Sequence, residues 1–280
     1  MSRTAQISLG KAAFCALVLG FINPIAVQAA ERWTPDVNAT WQWQLRGEKI
    51  NTDYDVTAYD IDLFNFSADT MDSLKNQEKK RICYFSAGSS EDWRSDYKLF
   101  RNDEKGKPLS KGDNGNGGQW EGERWLDIRS ENVKNIMTAR LDLAVKKGCD
   151  AVEPDNVDGY VNDTGFELTA SDQKDYNIFL AKEAHKRNLA IALKNDVDQL
   201  AELEPWFDMA VNEECHEQSE CAGYSVFTRK NKPVFNAEYN EEYITDPSAR
   251  EALCKAANKN QLHTLVLPLE LDDSFRYSCG

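Results

Sequence analysis

From residue 56 to residue 271, short runs rich in β-branched and aromatic residues alternate with longer stretches whose apolar positions recur every three or four residues. The first kind of run fits a strand buried on both faces, and the second fits a helix covered on one side. Residues 56–64 and 81–87 read as the first two strands, with a helical stretch to residue 80 between them. Residues 124–128 read as the third strand and 151–156 as the fourth. Between those two the spacing predicts a helix over 131–147, with Val133, Ile136, Met137, Leu141 and Ala144 on one face. A second helix is expected over 171–187, where Tyr176, Phe179, Leu180 and Ala184 recur at helical spacing. It leads to a fifth strand at 189–194, and runs at 209–213, 234–239 and 265–271 complete a set of eight.

Repeated strand–helix units in that number specify an α/β protein, a single (β/α)8 TIM barrel. Two stretches fall outside the repeat. Residues 41–50 are an N-terminal extension, either an extra strand or a cover for the barrel mouth. Residues 102–123, with the run Lys111-Gly112-Asp113-Asn114-Gly115-Asn116-Gly117-Gly118, read as a long surface loop.

At the start of the chain, Arg3 and Lys11 precede an apolar run over 12–21 and small residues over 26–30, which reads as a secretory signal peptide covering residues 1–30. The run is shorter than the roughly 20 residues a membrane-spanning helix needs. Residues 31–280 are then one domain, secreted or periplasmic, with no membrane attachment. The net charge of −14 becomes −16 once Arg3 and Lys11 leave, which argues against nucleic acid and favours a cationic ligand. Cys15 leaves with the same segment, so six cysteines remain, an even number that in an exported chain points to disulfides. Cys215 and Cys221 can close a short loop, and Cys254 and Cys279 can tie the last helix to the C-terminus. Cys83 and Cys149 are left as the third pair. With no CxxC and only His185, His216 and His263, no metal site is expected.

Barrel chemistry sits at the C-terminal ends of the strands. Here those ends carry Asp60, Asp62, Asp127, Glu153, Asp155, Asp158, Asp196, Glu213, Glu214, Glu238 and Glu270, with Lys194 as a cation among them. Carboxylates crowded into one hollow repel, so some must be protonated or paired, and that is the state acid–base chemistry uses. Hydrolysis of a glycosidic bond needs one carboxylic acid and one carboxylate. Ser86-Ala87-Gly88-Ser89 is not a nucleophile elbow, and no glycine-rich phosphate loop is present. Trp41, Trp43, Tyr84, Trp93, Tyr160 and Tyr239 offer faces for sugar rings. Strand-end acids also cap helices, so residue chemistry alone leaves all of these acids in contention.

Five blocks narrow the choice: Trp41-Gln42-Trp43-Gln44-Leu45, Tyr59-Asp60-Ile61-Asp62-Leu63-Phe64, Ile82-Cys83-Tyr84-Phe85-Ser86-Ala87-Gly88, the run from Gly148 through Glu153-Pro154-Asp155-Asn156-Val157-Asp158 to Tyr160, and Val211-Asn212-Glu213-Glu214-Cys215. Together they resemble glycoside hydrolase family 114, whose members are endo-α-1,4-polygalactosaminidases on a TIM barrel. The resemblance implies Asp155 and Glu213 as the catalytic carboxylates, with Asp155 as nucleophile and Glu213 as acid/base. It also implies sugar-positioning roles for Asp60, Tyr84, Glu153, Asn156, Asp158, Tyr160, Lys194, Asn195, Glu238 and Trp43. Position 153 is Glu where the family block has Asp, which leaves open which acid of that block does the work. The implied partner is a cationic galactosamine polymer, attracted by the negative charge, with no cofactor and no metal, and the protein itself is expected to be a monomer. Rival readings are a barrel hydrolase of another exopolysaccharide, a non-catalytic barrel that binds cationic glycan, and a metal-dependent deacetylase.

Overall fold

Successive side chains of a strand face opposite sides of its sheet. Here one parity gathers Trp41, Ala58, Ile82, Ala151, Ala190, Met209, Phe235 and Leu265 into a single buried cluster, although each comes from a different strand. Only a sheet curled upon itself brings one face of all those strands together.

The computed structural model describes residues 31–109 and 120–280, together with Met1. The expected signal peptide, Met1 apart, lies outside the described residues, as does the centre of the expected surface loop. The chain runs through β1 Trp41–Gln44, β2 Ala58–Asp62, α1 Ala68–Asn76, β3 Lys80–Ser86, β4 Ser89–Glu91, β5 Lys105–Pro108, β6 Glu123–Leu126, α2 Glu131–Lys147, β7 Ala151–Asp155, α3 Ala170–Lys186, β8 Ala190–Lys194, α4 Leu200–Leu203, β9 Met209–Glu213, α5 Ser225–Thr228, β10 Val234–Glu238, α6 Glu241–Thr245, α7 Pro247–Lys259, β11 His263–Val266 and β12 Tyr277–Ser278. The large sheet has the order β1-β2-β3-β7-β8-β9-β10-β11-β12, parallel throughout except for β12, which runs antiparallel to β11.

The outer faces of the strands, with Ile61, Phe85, Val152, Ile191 and Leu193, pack on the predicted helical stripe of Val133, Ile136, Met137, Leu141 and Ala144 and on Tyr176, Leu180 and Ala184. Both helices are delimited by their own residues. Ser130 caps α2, and Gly148 ends it in the left-handed region at φ 82°. Thr169 caps α3 in a reciprocal box with Asp172.

Two expectations change places. Residues 124–128 do not supply a barrel strand: β6 lies in a separate antiparallel sheet of order β4-β6-β5, and β3 pairs directly with β7, Ile82 opposite Ala151. The reason shows in Arg124, which is exposed and donates to the carbonyls of Lys105 and Gly106, so β6 is covered on one face only. The eighth barrel strand is β1, with Trp41 and Trp43 inside. Its outward Gln42 and Gln44 are buried as well: Gln42 accepts from Arg276 at 2.5 Å and donates to Asp273 at 3.0 Å. The C-terminal segment thus covers β1 where a helix covers the other strands, and it also bridges the seam between β1 and β11. There Trp41 Nε1 donates to the His263 carbonyl at 2.8 Å, and Arg276 donates to the Trp41 carbonyl at 3.0 Å. The stretch 102–123 is likewise more than a loop, since it holds β5 and the start of β6.

The three disulfides pair as expected: Cys83–Cys149, Cys215–Cys221 and Cys254–Cys279. The first joins β3 to the approach to β7 across a sequence separation of 66. Closing a loop of that length stabilises the fold by about 4 kcal/mol in the chain-entropy treatment.

Candidate active site

The inward parity that builds the apolar cluster continues upward as Trp43, Tyr84, Asp155, Lys194 and Glu213. These five line a cleft of about 550 Å³ at the C-terminal ends of the strands. In three adjacent strands the charged residue is followed at once by a left-handed residue: Asn156 after Asp155 at φ 59°, Asn195 after Lys194 at φ 48°, and Glu214 after Glu213 at φ 59°. Asparagine tolerates that region better than most residues, and Glu214 does not share the advantage. The three turns end β7, β8 and β9 abruptly, so the side chains just before them stand at the rim of the barrel.

Lys194 organises the charges. Its Nζ lies 3.0 Å from Glu153 Oε1, 3.1 Å from Asp155 Oδ1 and 3.0 Å from Glu213 Oε2. It also stands 4.7 Å above the centre of the Trp43 ring. Asp155 Oδ1 and Glu213 Oε2 are therefore at most 6.1 Å apart, the two contacts laid end to end. Each of these carboxylates has a second anchor on its other oxygen. Tyr84 donates its hydroxyl to Asp155 Oδ2 at 2.8 Å, and Tyr239 donates to Glu213 Oε1 at 2.6 Å. Burial, then the adjacent carboxylate, pushes both phenols well above their ordinary range, so both remain donors. Asn195 accepts from the Glu213 amide at 3.0 Å and fixes the end of β9.

Exposure separates the acids. The side chains of Asp155 and Glu213 keep 17% and 27% of their surface open, whereas Glu153 keeps none. Glu153 thus lies under Lys194, and Asp60 lies beside it, fully buried. Burial raises Glu153 to about 7 and Asp60 well above the carboxylate range, with the Glu153 charge adding to Asp60. Among the described residues neither Asp60 oxygen has a hydrogen-bond donor, so burial beside the Glu153 charge favours the protonated form of Asp60.

Of the other expected sugar-binding residues, Asn156, Asp158 and Asn195 line the cleft. Burial, and then Asp155, raises Asp158 to about 6. Tyr160 faces a smaller neighbouring hollow with Asp196, Asp198 and Glu220. Glu238 points out of the barrel, accepts from the His216 amide at 2.9 Å and has no exposed surface. Asp60, Glu153 and Glu238 are therefore placed where a sugar cannot touch them. Residue chemistry also passed over part of the lining: Arg46, Leu109, Trp120, Glu123 and Trp125 face the cleft. Cys215, His216 and Cys221 have ligand atoms within 4.8 Å of one another, but both sulfurs are committed to a disulfide. Among the described residues no helix is long and apolar enough to cross a membrane.

The sequence matches glycoside-hydrolase family GH114 over residues 23–280. Among solved structures it is similar to Ega3 of Aspergillus fumigatus in complex with galactosamine. The two share 39% identity with a TM-score of 0.81, over 89% of this chain and 98% of that one. The glycoside hydrolase domain of PelA from Pseudomonas aeruginosa shares the fold at 12% identity and a TM-score of 0.61, over 85% and 97% of the two chains. Amy13B of Eubacterium rectale shares it at 10% identity and a TM-score of 0.54, over 82% and 65%. No curated protein matches. With a family match over nearly its whole length and a relative of such identity on the same barrel, the chain belongs to glycoside-hydrolase family GH114 and is a hydrolase of glycosidic bonds, of the endo-α-1,4-polygalactosaminidase class expected from its strand-end blocks.

Proposed function

We propose that this chain is a secreted, monomeric, endo-acting hydrolase of α-1,4-linked galactosamine polymer, with Asp155 as nucleophile and Glu213 as acid/base. The observation that carries the reading is the shared ammonium of Lys194, which holds both accessible carboxylates within 3.1 Å of one atom. In this scheme Asp155 attacks the anomeric carbon while Glu213 gives its proton to the departing glycosidic oxygen. Glu213 then takes a proton from water as the water displaces Asp155. Double displacement calls for carboxyls about 5–5.5 Å apart and single displacement for about 6.5–9.5 Å, so the short spacing favours the first. The substrate is supported by the 39%-identical relative solved with galactosamine and by the net charge of −14, which concentrates a polycation. Three disulfides favour an oxidising compartment and hence export. No step of the scheme requires a cofactor.

The test is cleavage of de-N-acetylated α-1,4-galactosamine oligomers beside a panel of neutral polysaccharides. Asp155→Asn and Glu213→Gln should each lower kcat by about 10²–10⁴ or more. The first anomer seen by NMR should be α, as in the substrate. Cleavage that persists in both variants, or that occurs only on the neutral polymers, overturns the reading.

A further inference from the structure

One wall of the cleft does not belong to the barrel. It is the sheet of β4, β5 and β6, which presents Glu123 and Trp125 to the cleft. Glu123 is 6% exposed. Among the described residues no lysine or arginine pairs with it, and its polar contact is the Ser89 hydroxyl, which donates to Oε2 at 2.8 Å. The buried acids around it are differently placed: Glu91 and Asp62 hold Arg94, and Glu153 holds Lys194. A run of donors leads to Glu123. The Asn156 amide donates to Ser86 Oγ at 2.9 Å, the Ser86 and Ser89 hydroxyls lie 2.6 Å apart, and Ser89 donates onward. Because Ser89 spends its proton on Glu123, the Ser86 hydroxyl must point to Ser89. The chain is therefore polarised with the carboxyl as its final acceptor. A nearly buried carboxyl that faces a cleft, receives such a chain and lacks a cation is incomplete without one.

We propose that Glu123 is the counter-ion for a protonated amine of the bound sugar, in a subsite beside Asp155 that selects free amino sugars over N-acetylated ones. The inference rests on the amino-sugar reading above. An ammonium supplies the missing charge, and an acetamide brings none and is larger. Burial, then Glu91, raises Glu123 to about 8, so an arriving ammonium displaces its proton at neutral pH. The indole of Trp125 beside it adds a surface that a cation or a sugar face can use.

The experiment pairs kinetics with binding. Glu123→Gln keeps size and hydrogen bonding but removes the charge. It should lower kcat/KM for free-amine oligomers about 10–100-fold, the loss of one charged hydrogen bond, and leave N-acetylated oligomers within about 2-fold. Calorimetry with galactosamine and N-acetylgalactosamine is run alongside. The wild type should prefer the amine and release a proton on binding it at pH 7, and the variant should lose both properties. Equal losses on the two oligomers, or no loss, overturn the assignment. So does a wild type with no preference for the amine, a result that stands even if the variant fails to fold. If the wild type cleaves neither oligomer, the hydrolase reading fails by itself, while amine-selective binding that vanishes in Glu123→Gln still upholds Glu123.

Discussion

Lys194 is 1% exposed and holds three carboxylates, of which two are open to the cleft and one is sealed below. Burial alone would drive its proton off, but Asp155, Glu153 and Glu213 hold it firmly charged, well above the usual lysine range. Removing it leaves buried anions without compensation, which costs about 3–5 kcal/mol at such sites. Lys194→Met should therefore lower the unfolding free energy obtained from urea titration by that amount and lower kcat together with it, because Asp155 and Glu213 lose their common anchor. A variant with wild-type stability would show that the ammonium carries no net pairing energy. Residue types and strand ends brought Lys194, Asp155 and Glu213 into view from the sequence, although only the family resemblance separated them from the other acids. Tyr239 and Glu238 show why the separation was hard. In β10 every residue is buried, so no polar–apolar alternation reveals which parity faces inward. Phe235 and Ala237 lie in the inner cluster and put Tyr239 at the site, while Glu238 turns outward.

At the scale of elements, the docking of β4 and β6 onto the barrel depends on Gly88. A Cβ at this position would meet the Asn156 carbonyl oxygen at 1.6 Å. The Gly88 amide itself donates to the Asp155 carbonyl at 3.0 Å, so two backbones are in direct contact where β3 gives way to β4. Gly88→Ala should destabilise by about 1–3 kcal/mol, as an overpacked site does. It should also reduce kcat more than an exposed Gly→Ala control such as Gly280→Ala, because Asn156 is displaced next to Asp155. Unchanged kcat would mean that this wall does not position the site. The sequence made the helices plain, since one face of each is apolar, but it misjudged β1 and β6. Trp41-Gln42-Trp43-Gln44 alternates like a strand with one wet face, and nothing local announces that residues some 230 positions later will cover the glutamines.

For the whole molecule, buried acids set the response to pH. Burial raises Glu123 to about 8, Glu153, Asp196 and Glu238 to about 7, and Asp158 to about 6. The unfolded chain ionises the same groups near pH 4, so between these limits the folded state binds more protons. Their stabilising contribution is complete on the acid side and is lost as pH rises through about 6 to 8, at about 1.4 kcal/mol per group for each pKa unit. His216, depressed by burial, acts in the opposite sense, but it is one group against five. Tm measured at constant ionic strength should fall from pH 5.5 to pH 8.5, and a rise would show that these acids are ionised in the folded protein. The alternation of strands and helices made the barrel legible because every unit repeats the same burial problem. Its closure was not legible, because the seam uses no repeat. That seam has a consequence for biosynthesis. The wall beside β1 is finished by residues 271–279, so a growing chain carries β1 unsealed until that segment has been made. Barrel closure and the Cys254–Cys279 bond thus come only after every strand of the barrel has been synthesised.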